Sequence, residues 1–198
     1  MTRDIKYILD KLDNDLNPIK EQAIRYFDIE SNVRADNVVQ IFKQPWVAPE
    51  SFGLILYPPV EKEWLVEFEK KTGKIIPKLY EEILLQMNGC FVYDFSLFGL
   101  PKSIYTNGIL DRRILQQFDL TEANSSWIRE YDINQDLFHI GSHCYDERIG
   151  YFVDNNIILS IKETGEVVNT FATIKDFLTT EIEMAEKMMI TERDENGN

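Results

Sequence analysis

Stretches with helical periodicity alternate with stretches of strand periodicity along the chain, and their order is informative. At the N-terminus, "TRDIKYILDKL" places Ile5, Ile8, Leu9 and Leu12 on one helical face, with Asp4 in the first turn at the positive end of the helix dipole. "NPIKEQAIRYF" repeats the pattern: Asn17 suits a cap, Pro18 the first helical position, and Ile19, Ala23, Ile24 and Phe27 a buried stripe. These two helices are expected to form a hairpin. "DNVVQIFKQ" is too short to separate helix from strand, whereas "FGLILYPP" reads as an extended segment stopped by Pro-Pro. "VEKEWLVEFEKKTG" predicts a helix with Glu61 and Glu63 at its start, Lys70 and Lys71 at its end, and Gly73 as its left-handed terminator. Trp64, Leu65 and Phe68 form its apolar face. "IPKLYEEILLQMNG" predicts another, begun at Pro77, with Leu79, Tyr80, Ile83, Leu84 and Met87 facing inward and Asn88-Gly89 ending it.

From Cys90 the texture changes. "CFVYDFSLFGL" is rich in aromatic and β-forming residues and predicts one or two strands. Residues 101–136 read as a short helix near 109–118, a Ser/Asn-rich turn, and a second short helix near 125–131. "LFHIG", "RIGYFVD", "NIILSIK" and "EVVNTFA" are then short, β-branched or aromatic, and separated by turn residues, which predicts an antiparallel meander. "TIKDFLTTEIEMAEKMM" predicts a closing helix, capped by Thr173 with Asp176 three residues on, and with Phe177, Leu178, Ile182 and Ala185 inward. "TERDENGN", residues 191–198, is too polar to pack and is expected to be a disordered tail.

Composition narrows the function classes. A chain of 198 residues with 44% apolar and 28% charged content suits one globular domain, with two small ones possible. No apolar run approaches the ~20 residues of a membrane span, and the first residues lack the apolar block of a signal peptide. Two cysteines, Cys90 and Cys144, make no disulfide framework, so a reducing cytosol is the simplest compartment. The net charge of −13 argues against nucleic acid and anionic membranes as ligands and favours a basic protein partner. Residues 111–198 hold 18 acids and 8 bases, net −10, against −2 for residues 1–60 and −1 for residues 61–110. The bland alternative is that the acids serve solubility.

The stretch "PPVEKEWLVEFEKKTGKIIPKLYEEILLQMNG" sets Phe68-Glu69, Gly73, Pro77, Tyr80, Leu84 and Asn88-Gly89 at a spacing that resembles the SUKH superfamily, which includes bacterial immunity proteins of toxin systems and fungal cell-wall assembly regulators. "LFGLP", "WIREYDINQDLFHIG", "IGYFVD" and "FATIKDFL" are similar too, so the resemblance runs over roughly residues 57–188. It implies an α+β fold, a mostly antiparallel sheet flanked by helices, and a binding role without a cofactor. Many relatives are thought to neutralise a cognate toxin, often a nuclease or deaminase, by sitting on it. Residues 1–56 exceed the family's usual lead-in. The expected organisation is therefore an N-terminal helical extension over 1–56 packed on the main domain, a SUKH-like α+β domain over 57–190, and the tail.

Chemistry is sparse. "HIGSHCYDE" offers His139, His143, Cys144, Asp146 and Glu147, but lacks the paired spacings of a structural zinc site, and sequence neighbours on a strand point apart. Cys90 suits a small buried side chain. Glu81 and Glu82 diverge by ~100° on a helix and cannot act as a carboxylate pair across a substrate. No catalytic, metal-ligating or cofactor-binding residue is expected. The expected partner surface is the acidic segment of Asp119, Glu122, Trp127, Glu130, Tyr131, Asp132, Asp136, Asp146 and Glu147, aromatic anchors within a charged ring. The alternative places Trp127 in the core with the acids merely ringing it. The reading is a non-enzymatic protein binder, an immunity protein meeting a basic toxin domain. A regulatory adaptor that binds endogenous proteins, or a hydrolase using His139, His143 or Cys144, are the competing readings.

Overall fold

A computed structural model describes residues 1–100, 118–144 and 147–195. Among the described residues nine strands form one antiparallel sheet in sequence order. They are β1 (Asn32–Val33), β2 (Val39–Lys43), β3 (Phe52–Leu56), β4 (Cys90–Val92), β5 (Phe95–Leu97), β6 (Phe138–Cys144), β7 (Arg148–Asp154), β8 (Ile157–Lys162) and β9 (Val167–Phe171). The ambiguous "DNVVQIFKQ" resolves to strand β2 because Val39 and Ile41 sit opposite Leu56 and Leu54, burying one face with period two. Central strand β7 is covered on both faces. Ile149, Tyr151 and Val153 join the main core, while Phe152 joins a second cluster with Ile128, Tyr131 and Ile161.

The helices follow their caps. α1 (Arg3–Leu9) starts at Thr2, whose side chain accepts from the Ile5 amide. After a 3-10 turn, α2 (Asn17–Arg25) carries Pro18 in its first turn. Residues 1–56 thus supply the two expected helices and, at "FGLILYPP", the expected extended segment as β3, which pairs with β4; β1 and β2 extend the same sheet. α3 (Lys62–Thr72) ends at Gly73 with φ 72°. α4 (Lys78–Leu84) uses Pro77 as its N-terminal flank and stops at Leu84, short of the expected Asn88-Gly89. Those two residues divide a different task. Gly89 takes the left-handed turn at φ 80°, and the buried Asn88 side chain pairs with both the amide and the carbonyl of Leu100, at 2.7 Å each.

α5 (Leu120–Ser125) is followed by a 3-10 turn at Trp127–Glu130, so the helix expected near 125–131 begins earlier and tightens at its end. The helix expected near 109–118 falls outside the described residues except for Phe118, which is not helical. α6 (Ile174–Glu195) is capped as expected: the Thr173 hydroxyl accepts from the Asp176 amide and donates to its carboxylate. It continues to Glu195, through most of the 191–198 segment expected to be disordered. Phe177 packs on Phe95, Tyr151 and Phe171, with ring centroids 5.7, 4.9 and 5.4 Å away. The front helices share this core through Ile5, Leu16 and Ile19.

Removing the Asn88 amide strands two buried backbone groups. Asn88→Ala is expected to lower the unfolding free energy by about 2–4 kcal/mol, at roughly 1–3 kcal/mol for each unpaired group. Urea unfolding should show a lower midpoint with an unchanged slope. An unchanged midpoint would remove this contact from the fold's essentials.

Candidate protein-binding surface

A sheet whose strands run antiparallel in sequence order brings alternate connections to the same end. The connections 44–51, 93–94 and 163–166, with Glu147 just ahead of β7, share one end of this sheet. In sequence they contain Glu50, Asp94, Glu147, Glu163 and Glu166 and no Lys or Arg. The cations at the adjoining strand ends are outnumbered. Arg148 lies between Glu130 and Glu163, the latter at 3.3 Å. Lys162 lies between Glu147 and Glu166, both at 3.0 Å, and their hydrogen bonds raise its pKa. Glu147 and Glu166 keep about 61% and 63% of their side-chain surface exposed, so water screens each pair and the surrounding field stays negative.

The residues expected at the partner surface divide into groups. Glu130, Asp132 and Glu147 meet at this end; the Asp132 amide donates to the Glu163 carbonyl at 2.9 Å. Asp119 and Glu122 lie on α5 instead, where Asp119 caps the helix through the Thr121 amide at 2.7 Å and Glu122 accepts from Ser126. Asp136 is exposed in the loop before β6. Asp146 falls outside the described residues. The aromatic anchors require correction. Tyr131 is only 3% exposed, packed edge-on to Phe152 and His139, and is not presented to a partner in this structure. Trp127 is half-buried against Phe98 and Phe118, between the core and the surface. Glu163 and Glu166 were missed because the acidic segment was closed at Glu147. The signal for them is "ETGE", the turn of the last hairpin.

The candidate reactive residues are placed structurally. His139 is 2% exposed, stacked on Phe152 at 4.4 Å, and its Nε2–H donates to the Gly141 carbonyl at 2.9 Å. His143 faces Tyr151 and Glu181. Glu181 is 4% exposed and accepts from Tyr151 Oη at 2.7 Å and Ser160 Oγ at 3.2 Å, a buried network absent from the sequence reading. Cys90 is fully buried, which pushes its thiol up to about 12. The side chain of Cys144 falls outside the described residues. Among the described residues no group of three or more His, Cys, Asp or Glu side chains is placed to hold a metal ion, and no helix is long and apolar enough to cross a membrane.

The family model described as SMI1/KNR4 family (SUKH-1) matches residues 59–180, more than half of the chain. The chain belongs to this family. No curated protein and no solved structure matches it. The SUKH-1 match takes in α3, α4, strands β4–β9 and the start of α6, and leaves α1, α2 and β1–β3 in front of it.

Burial lowers His139 from its ordinary 6.5 to about 4. Between those values the unfolded chain binds a proton that the folded chain refuses, so stability falls as pH drops from about 6.5 toward 4. His139→Gln should unfold more easily at pH 7 but show a flatter decline across that window. Chemical denaturation at neutral and mildly acidic pH, followed by Trp fluorescence, checks this; a decline as steep as wild type would assign it to other groups.

Proposed function

We propose that this protein is a non-enzymatic immunity-type inhibitor that binds a cognate basic toxin domain, of nuclease or deaminase type, in the cytosol. The observation that carries the reading is the acid-rich sheet end, with Glu147, Glu163 and Glu166 around Lys162 and Arg148. Enzymes that hold nucleic acid need cationic surfaces to grip phosphate, and a rigid array of carboxylates competes for those same cations. Family membership supports the reading, since the SUKH superfamily includes immunity proteins. A regulatory adaptor is the second reading. It is favoured by the front segment, which lies outside the family match and exposes Tyr7, Ile24 and Ile29 by 62%, 60% and 96%.

The carboxylates should govern capture more than residence. Co-expression with the toxin encoded beside this gene should restore growth, and purified partners should associate on the order of tenfold faster in low salt than in high salt. The triple variant Glu147→Gln, Glu163→Gln, Glu166→Gln should slow association several-fold while its thermal midpoint shifts little. Growth that is not restored, or association indifferent to both salt and the triple variant, would reject the inhibitor reading in favour of the adaptor.

A further inference from the structure

Next to the acidic turns, a groove of about 250 Å³ opens between the 44–51 connection, the β4–β5 turn and the C-terminal half of α6. It holds the room of roughly eight water molecules. Phe91, Tyr93, Met188 and Met189 form apolar walls, Asp94 and Glu192 supply carboxylates, and among the described residues no Lys, Arg or His lines it. Among the described residues Asp94 has no hydrogen bond or ion pair. Partial burial raises its carboxyl above the ordinary aspartate value, and His143 pulls it back only in part.

The backbone around the groove is held in an uncommon form. Tyr93 and Phe42 have φ of 56° and 64°, a region bulky side chains rarely enter. Tyr93 stands in a two-residue hairpin turn, where glycine would meet the backbone requirement without strain. The Tyr93 amide donates to the Gly53 carbonyl at 2.6 Å. A Cβ on Gly53 would lie 2.9 Å from the rings of Phe42 and Tyr93 and from Gln44 Nε2, so only glycine there lets the two rings settle. The Tyr93 ring is 5% exposed, packs edge-on to Tyr26 and Phe42, and sends its hydroxyl to Gln22 Oε1 at 3.4 Å, so the strained turn fixes one aromatic wall of the groove to the core.

We propose that this groove receives one lysine or arginine side chain of the polypeptide partner, its stem lying on Phe91, Tyr93 and the α6 methionines and its cationic head between Asp94 and Glu192. Charge complementarity selects the occupant. An anion would meet carboxylates with no cation among the described lining residues, and a purely apolar group would leave the Asp94 carboxylate without a counter-ion. Methionine and aromatic walls adapt to the methylene stem of either basic residue, and an aromatic ring beside the head adds a cation–π attraction. The inference deepens the protein-binding reading above and rests on it for the identity of the partner, but not for the chemistry of the groove.

The test uses the whole chain and does not need the toxin. Nα-acetyl-lysine methylamide and Nα-acetyl-arginine methylamide are titrated against isotopically labelled protein, with the norleucine compound as a neutral isostere. Saturable shifts are expected at the Phe91, Tyr93 and Asp94 amides and the Met188 and Met189 methyls for at least one basic compound, and not for norleucine. The double variant Asp94→Asn, Glu192→Gln should weaken that binding at least tenfold, while Glu63→Gln, Glu67→Gln on the exposed side of α3 leaves it intact. Equal response to norleucine, no saturation, or equal loss in both double variants overturns the groove. Because these readouts are independent of toxin neutralisation, a failure here leaves the inhibitor reading standing, and the reverse holds as well.

Discussion

The arrangement depends on how α6 is held against the sheet. Apolar contact through Phe177 supplies the driving force, but it is Glu181 that fixes the helix in register. A carboxylate 4% exposed carries a desolvation cost of several kcal/mol and is tolerable only where donors await it. Tyr151 on β7 and Ser160 on β8 provide them, with His143 on β6 3.4 Å away. A slip of one helical turn would leave that carboxylate buried without partners. Five residues on, Glu186 accepts from Gln22 and Arg25 of α2 and from Tyr26 just after it. Partial burial pushes the Glu186 carboxyl up, and these donors outweigh it and hold its pKa below the ordinary glutamate value. One helix therefore clamps the family core on one turn and the added front segment on the next.

That clamp also builds the surface. α6 leaves β9 at the covered end of the sheet, and 22 residues at ~1.5 Å each carry its last turns to the opposite end. There Met188, Met189 and Glu192 become the third wall of the groove beside the β4–β5 turn. The groove exists because the register that pairs Glu181 also brings those residues to Tyr93 and Asp94.

Much of this was legible in the sequence, and the failures have physical causes. Gly73, the Thr173 cap and the four late strands were clear because each rests on local chemistry. β1 and β2 were not, since Val38, Val39 and Ile41 form too short a run to show a period. Asn88-Gly89 was read as a helix stop, although its larger role, the pairing of Asn88 with Leu100, is a contact across 12 residues that no local rule contains. Glu181 was recoverable. It falls three residues after Leu178 and four before Ala185, on the inward face, and only its charge disguised it. Tyr131 misled in the opposite way. An aromatic amid acids suggested an exposed anchor, but its ring packs edge-on against Phe152.

The two ends of the sheet differ in kind, and this bears on why the acids are where they are. At one end the chain makes long excursions between strands, through α3 and α4 and again through α5, and these helices cover the sheet. At the other end the described connections are shorter, flanked by the last turns of α6 and by the 130–132 segment, which packs on the 163–166 turn. Charge spread for solubility alone has no reason to prefer one end. Here these turns contain carboxylates and no cation of their own, whereas the acids on α5 serve a cap and a local hydrogen bond. The topology exposes this end, and the turn residues give it a sign. In the inhibitor role proposed above, they would orient a basic partner toward the edge where the groove opens, and the field guiding the encounter would lie beside the proposed cavity.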